Sequence, residues 1–292
     1  MKNLESLISE YQNIAIPDEL EQTAAKTIVN FNQRRKKNRI LIRCAISAAA
    51  VIIVFISTVN LSPMAASALS RVPIVKNLVQ LVTFEELSYQ SDKYVADIKV
   101  PQVKGLEDKG LEKFLNQEYL AENTKLYNDF LQKIGENELS PQSLALFTNY
   151  TVKTYNEDIF TIEEIKLEVA ASGTISVTYT NIDLKNQIII TLPSLFKDDS
   201  YIDVISANIK TQMKQKTNRD DGIIYFVAGD KTFGGGGFDK ISPNQTFYIN
   251  SDSKLAIVFD EYEVAPGSMG IVEFIIPIEE IQDILVSNVY IK

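Results

Sequence analysis

Between Ile40 and Val59 the chain reads ILIRCAISAAAVIIVFISTV, twenty residues in which Arg43 carries the only charge. Twenty helical residues at about 1.5 Å each reach about 30 Å, the thickness of a bilayer's hydrocarbon core. Arg43 lies near the first end, where its long stem can carry the guanidinium to the headgroups. The run is preceded by Arg34-Arg35-Lys36-Lys37-Asn38-Arg39, and flanking positive charge of this kind stays on the cytoplasmic side. A buried core helix does not account for a continuous apolar run with so lopsided a flank. A cleaved secretory signal would begin within a few residues of Met1, whereas here 39 residues come first. The expected organisation is a cytoplasmic segment 1–39, a single transmembrane helix 40–60, a stalk 61–90, and an ectodomain in two sub-regions, 91–195 and 196–292.

The net charge of -9 divides at this boundary: residues 1–43 hold eight basic and five acidic groups, while 44–292 hold 21 and 33. An inner piece of +3 and an outer piece of -12 result. The acidic part argues against nucleic acid as a partner, because that footprint is basic. It would attract a cationic partner from a distance, and it also reads as ordinary acidic solvation. The chain has no His and one Cys. That excludes Ser-His-Asp and Cys-His nucleophile systems, imidazole zinc sites, Cys-only zinc clusters and internal disulfides. No catalytic residue, cofactor or metal site is expected. Cys44, at the membrane entrance, reads as structural filler or as a palmitoylation site.

Residues 1–39 carry two helical patterns. The first contains Leu4, Leu7, Ile8, Tyr11 and Ile14; the second, opened by Pro17-Asp18-Glu19, contains Leu20, Ala24, Ile28 and Phe31. Two short amphipathic helices cannot cover both stripes against each other and form a stable unit. A soluble partner protein is the expected cover, with the inner membrane surface as the alternative.

Beyond the span, Ser62-Pro63 ends the helix and Ala66-Ser67-Ala68 follows. Small side chains two apart fit the shallow pockets of a signal peptidase, which places the scissile bond between Ala68 and Leu69. Val72, Val75, Leu78, Val79 and Val82 then recur at helical spacing, as a stalk helix or one that docks on the ectodomain and shields the cleavage site.

The remainder alternates strands and helices. Expected strands cover 94–100, 147–155, 162–169, 175–181, 187–192, 223–228, 246–249, 255–262 and 271–276, and expected helices 106–134, 201–216 and 278–285. The fold class is α+β, antiparallel sheets with packed helices. The run Gly234–Gly237 lacks the Lys-Ser/Thr of a phosphate loop and reads as a hairpin loop. Glu163-Glu164 and Glu279-Glu280 read as solvated, and Asp198-Asp199 as a helix N-cap.

Three segments bear a resemblance: Phe247-Tyr248-Ile249-Asn250, the run from Leu255 through Tyr262 to Ala265-Pro266-Gly267, and Phe274-Ile275-Ile276-Pro277-Ile278. Together with Asn181-Ile182-Asp183-Leu184 and Leu192-Pro193-Ser194-Leu195-Phe196, they are similar to the extracellular module of the anti-sigma-V factor (RsiV) family. That resemblance covers about residues 145–290. It implies that the inner segment holds an extracytoplasmic-function sigma factor, through Leu7, Tyr11, Leu20, Ile28 and Phe31. It implies further that the ectodomain binds lysozyme, and that signal peptidase and then an intramembrane protease release the sigma factor, with Ala66 and Ala68 marking the first cut. The implied ligand contacts are Tyr262, Pro266, Ser268 and Met269, with Ser172 on the loop Ala171-Ser172-Gly173-Thr174. Family members often carry a Gly-Gly-Ala-His-Gly-like loop there, and aromatics where this chain has Gly267 and Ser268. A membrane-tethered cell-wall-binding module without a sigma partner is the competing expectation.

Overall fold

The computed structural model describes residues 79–136, 143–218, 221–230 and 237–292. The expected cytoplasmic helices, the apolar span, the junction at Ala66, Ala68 and Leu69, and Gly234–Gly236 lie outside the described residues. Among the described residues no helix is long and apolar enough to cross a membrane.

Period-two alternation builds a six-stranded sheet from β1 (Gln80–Gln90), β2 (Tyr94–Lys104), β3 (Leu144–Tyr155), β4 (Ile159–Val169), β5 (Gly173–Asp183) and β6 (Ile188–Ile190), in chain order. All neighbours are antiparallel except β2 and β3, which run parallel and are joined by helix α1 (Lys109–Glu136). The expectation of purely antiparallel sheets is corrected here: a parallel pair needs a long crossover, and α1 supplies it.

The stalk expected at 61–90 is also shortened, because Gln80–Gln90 pairs with β2 along its length. For Val82 the partner strand is a stronger determinant than the helical spacing; Val72, Val75 and Leu78 lie outside the described residues. Val79, Leu81 and Leu87 fill the core under α1 instead.

Strand β2 runs through Pro101, a residue that cannot donate to a ladder. It is tolerated because β3 pairs only with Tyr94–Asp97 and a bulge in β1 lies between Thr83 and Glu85. Where β3 has left, Asn116 of α1 takes over. The Val103 N–H donates to Asn116 Oδ1 at 2.7 Å, and Asn116 Nδ2 donates back to the Val103 carbonyl at 2.9 Å.

The second half holds α2 (Ser200–Lys216) and a three-stranded antiparallel sheet of β7 (Phe247–Ile249), β8 (Leu255–Phe259) and β9 (Val272–Ile276), followed by α3 (Ile278–Ile281). The expected stripe on α2 is buried through Ile205, Ile209 and Met213. Asp198 Oδ1 accepts the Ser200 N–H at 2.9 Å, whereas Asp199 occupies the cap without a side-chain bond. Strand β8 is buried on both faces. Leu255, Ile257 and Phe259 meet α2, and Ala256 and Val258 meet Ile165 and Val177 of the larger sheet. The layers therefore run α1, large sheet, small sheet, α2.

Three expected elements differ. Residues 223–228 form only the isolated bridges Asn218↔Ile223 and Val227↔Phe238, since among the described residues no strand lies beside them for their full length. The strand expected to reach Tyr262 stops at Phe259. The helix expected over 278–285 is one turn, after which Leu285 bridges to Phe196.

Candidate partner-binding surface

Strand β6 covers β5 only at Asn181–Asp183, which leaves the earlier part of that edge to be closed otherwise. The turn after β8 does so. Asp260 Oδ1 accepts the Val177 N–H at 2.9 Å and Glu261 Oε2 accepts the Ile175 N–H at 2.8 Å. The Glu261 N–H donates to the Ile175 carbonyl at 3.2 Å. Burial holds the Asp260 carboxyl above its ordinary value despite the Val177 bond. Ile175 lies three residues beyond Ser172 and Glu261 one before Tyr262, so these contacts bring the β4–β5 hairpin and the turn to one end of β5.

Tyr262 is 51% exposed and has φ 71°, a left-handed conformation uncommon for a bulky residue. Its ring lies over Gly267, where an added Cβ would sit 2.2 Å from a ring carbon. Pro266 caps the 3-10 turn Gly267–Met269, whose end is set by Gly270 at φ 61°. The turn is tied down from below: Val264 and Ala265 are buried, and the Val264 carbonyl accepts the Phe226 N–H at 2.7 Å.

The structure therefore gathers four of the five expected contacts on one turn and brings Ser172 to the same end of β5. Ser172, Tyr262 and Ser268 are exposed and Pro266 is half-buried. Met269 differs, because its side chain packs on the core of the second half and its sulfur accepts the Ile224 N–H at 3.3 Å. It supports the turn from within. The expected sigma contacts Leu7, Tyr11, Leu20, Ile28 and Phe31 lie outside the described residues.

A polar junction between the two sheets was missed. Glu163 and Glu164 diverge as a strand requires, but neither is freely solvated, because both faces of β4 are covered. Glu163 is 6% exposed, with its Oε1 3.0 Å from Lys153 Nζ and accepting from Tyr179 Oη at 2.7 Å. Lys153 Nζ also lies 3.4 Å from Glu273 Oε1 and 4.7 Å from the centre of the Tyr248 ring. Tyr248 Oη donates to Glu273 at 2.8 Å. Burial, and then the neighbouring carboxylates, hold both phenols above their ordinary range, so each remains a donor. The cluster joins β3, β4 and β5 to β7 and β9.

Over 291 residues the chain is 40% identical to the anti-sigma-V factor RsiV of Bacillus subtilis (strain 168), covering 100% of this chain and 99% of that protein. The chain belongs to the RsiV family. Two domain families match within it, both of unknown function: DUF4179 over residues 36–126 and DUF3298 over 193–279. The turn of Tyr262 lies inside the second, whereas Ser172 lies outside both.

The RsiV-family chain also shares its fold with two solved DUF3298 structures. One, from Bacteroides fragilis NCTC 9343, is 19% identical with a TM-score of 0.53 and covers 73% of this chain and 95% of that one. The other, from Pseudomonas aeruginosa PAO1, is 13% identical with a TM-score of 0.52 and covers 74% and 97%. At these identities they establish the α+β fold of this RsiV-family member and nothing about its ligand.

Proposed function

We propose that this chain is a membrane-anchored anti-sigma factor whose outer domain senses a protein, lysozyme, and whose destruction by proteolysis frees the sigma factor. The observation that carries the reading is the whole-length identity to an anti-sigma factor. In this reading residues 1–39 sequester an extracytoplasmic-function sigma factor with Leu7, Tyr11, Leu20, Ile28 and Phe31. Residues 40–60 span the membrane, and the folded domain lies outside the cell. Signal peptidase cuts between Ala68 and Leu69, and an intramembrane protease completes the release. No catalytic step is assigned to the chain itself.

The outer surface supports a protein ligand through shape and charge. Tyr262 is an exposed aromatic held in a fixed backbone conformation, which limits the entropy lost on binding. Asp260, Glu261 and Glu263 beside it suit a cationic partner, with an association rate that falls as salt rises. The test is co-purification of the full chain with and without lysozyme, scored for bound sigma factor and for chain length. Sigma factor should co-purify only without lysozyme, and the chain should shorten when lysozyme is added. Tyr262→Ala should weaken lysozyme capture by roughly tenfold or more, as an aromatic anchor does, and Ala68→Phe should block shortening. Absence of sigma factor from the untreated chain would sink the reading in favour of a tethered cell-wall-binding module.

A further inference from the structure

Helix α1 is held on the large sheet by two apolar clusters, with the half-buried Leu87 of β1 packed against both. One gathers Leu115 and Tyr119 with Val100, Val103, Phe160 and Ile162, and the other gathers Phe130 with Ala96, Ile98 and Leu146. The helix residues facing the sheet are Leu115, Tyr119, Asn123 and Phe130, a spacing that keeps one stripe inward. Between the two clusters the sheet offers Glu164 rather than an aliphatic side chain. Asn123, 5% exposed, donates through Nδ2 to the Tyr119 carbonyl and lies beside Glu164. The Tyr119 hydroxyl is buried without a well-formed hydrogen bond, with Thr180 beside it.

From this juxtaposition we infer that the Glu164 carboxyl is a proton-operated clasp: protonated, it lets α1 lie down across both clusters, and ionised, it loosens the middle turns of the helix. The groups around it push the same way. From α1, Glu122 faces Glu164 and is itself next to Glu118. From β3, Tyr150 is the cross-strand partner, and from β5, Thr178. Tyr150 in turn lies near Thr83 and Glu86 of β1. On β4 itself, Lys166 pairs with Glu168, which also receives Lys133 of α1. Both cations are thus engaged one residue pair further along the strand.

Burial first and Glu122 second push the Glu164 carboxyl up to about 7, and the neighbouring Asn123 amide lowers it only in part. The native state therefore keeps a proton that the unfolded chain releases near the ordinary value of 4.5. Docking of α1 is strongest below that value and weakens as pH rises from it to about 7, by at most tenfold per pH unit, then levels off.

The experiment measures amide hydrogen exchange of α1 on the full chain in detergent between pH 5.5 and 8.5, after correction for intrinsic exchange rates. Protection at residues 119–130 should fall by roughly tenfold or more as pH rises from 5.5 to about 7 and then level off, while β8 amides keep theirs. Glu164→Gln should abolish the fall, and Glu122→Gln should make it level off at lower pH. Because a variant can misfold, carboxyl NMR titration of Glu164 in the unaltered chain is the second measurement. A titration near 4.5, or the same pH dependence in Glu164→Gln, overturns the inference.

Discussion

The two halves of the fold solve one problem differently. The half containing β7, β8, β9 and α2 has a continuous apolar core running from Ile205 and Ile209 through Phe259 and Phe274 to Ile281 and Leu285. The half containing α1 has two smaller clusters with Glu164 and Asn123 between them. An undivided core has a single way to come apart, whereas a divided one can release part of a helix without global unfolding. The exposed turn of Tyr262 stands on the undivided half, where its geometry is best held. The proton-sensitive contact lies in the divided half, where partial opening is least costly.

The sharpest way to break this contrast is to cut the undivided core. Phe274→Ala removes a fully buried ring packed between Tyr225 and Phe259, and it should lower stability by about 3–5 kcal/mol in chemical denaturation. A much smaller loss, below about 1 kcal/mol, would show that the second half collapses around cavities and is not the rigid partner in the pair. Next in size is the junction of the halves. Lys153→Ala leaves Glu163 buried beside Glu273 without a cation, at a cost of about 1–3 kcal/mol after allowing for the partial exposure of the lysine. Equal unfolding midpoints for fluorescence of a probe in each half should be lost in this variant if the cluster is what couples them. Smallest in stability is Gly267→Ala, expected to cost under about 1 kcal/mol because the Tyr262 ring is free to swing outward. Its effect should appear in the NMR shifts of the Tyr262 ring, and an unchanged ring environment would separate the glycine from the aromatic's placement.

The fold class and much of its second half were legible in the sequence. The 3.6-residue stripe of α2 and the resemblance of β7, β8 and β9 to a known module left little freedom there. Strand β1 was not legible, because Val82 near its start continues the helical spacing of Val79 until β2 lies beside it. Nor was the parallel pairing of β2 with β3, since periodicity carries no direction. Four expected contacts, Tyr262, Pro266, Ser268 and Met269, fall on one turn because they are close in sequence. The grip of Asp260 and Glu261 on the β5 edge was hidden, because it depends on where β6 stops. Glu163 and Glu164 were misread as solvated: alternation was recognised, but not that each face would be covered by a different layer.

Asn116 has a consequence for the life of the protein at high concentration. An open strand edge is a template for another chain, and proteins generally blunt such edges with charge, bulges or a covering element. Beyond Asp97, β2 would offer such a template on its β3 side. The Asn116 carboxamide answers the N–H and the C=O of Val103 with one side chain, as a neighbouring peptide would. A single amide on a helix thereby closes β2 at Val103 to a further strand on that side.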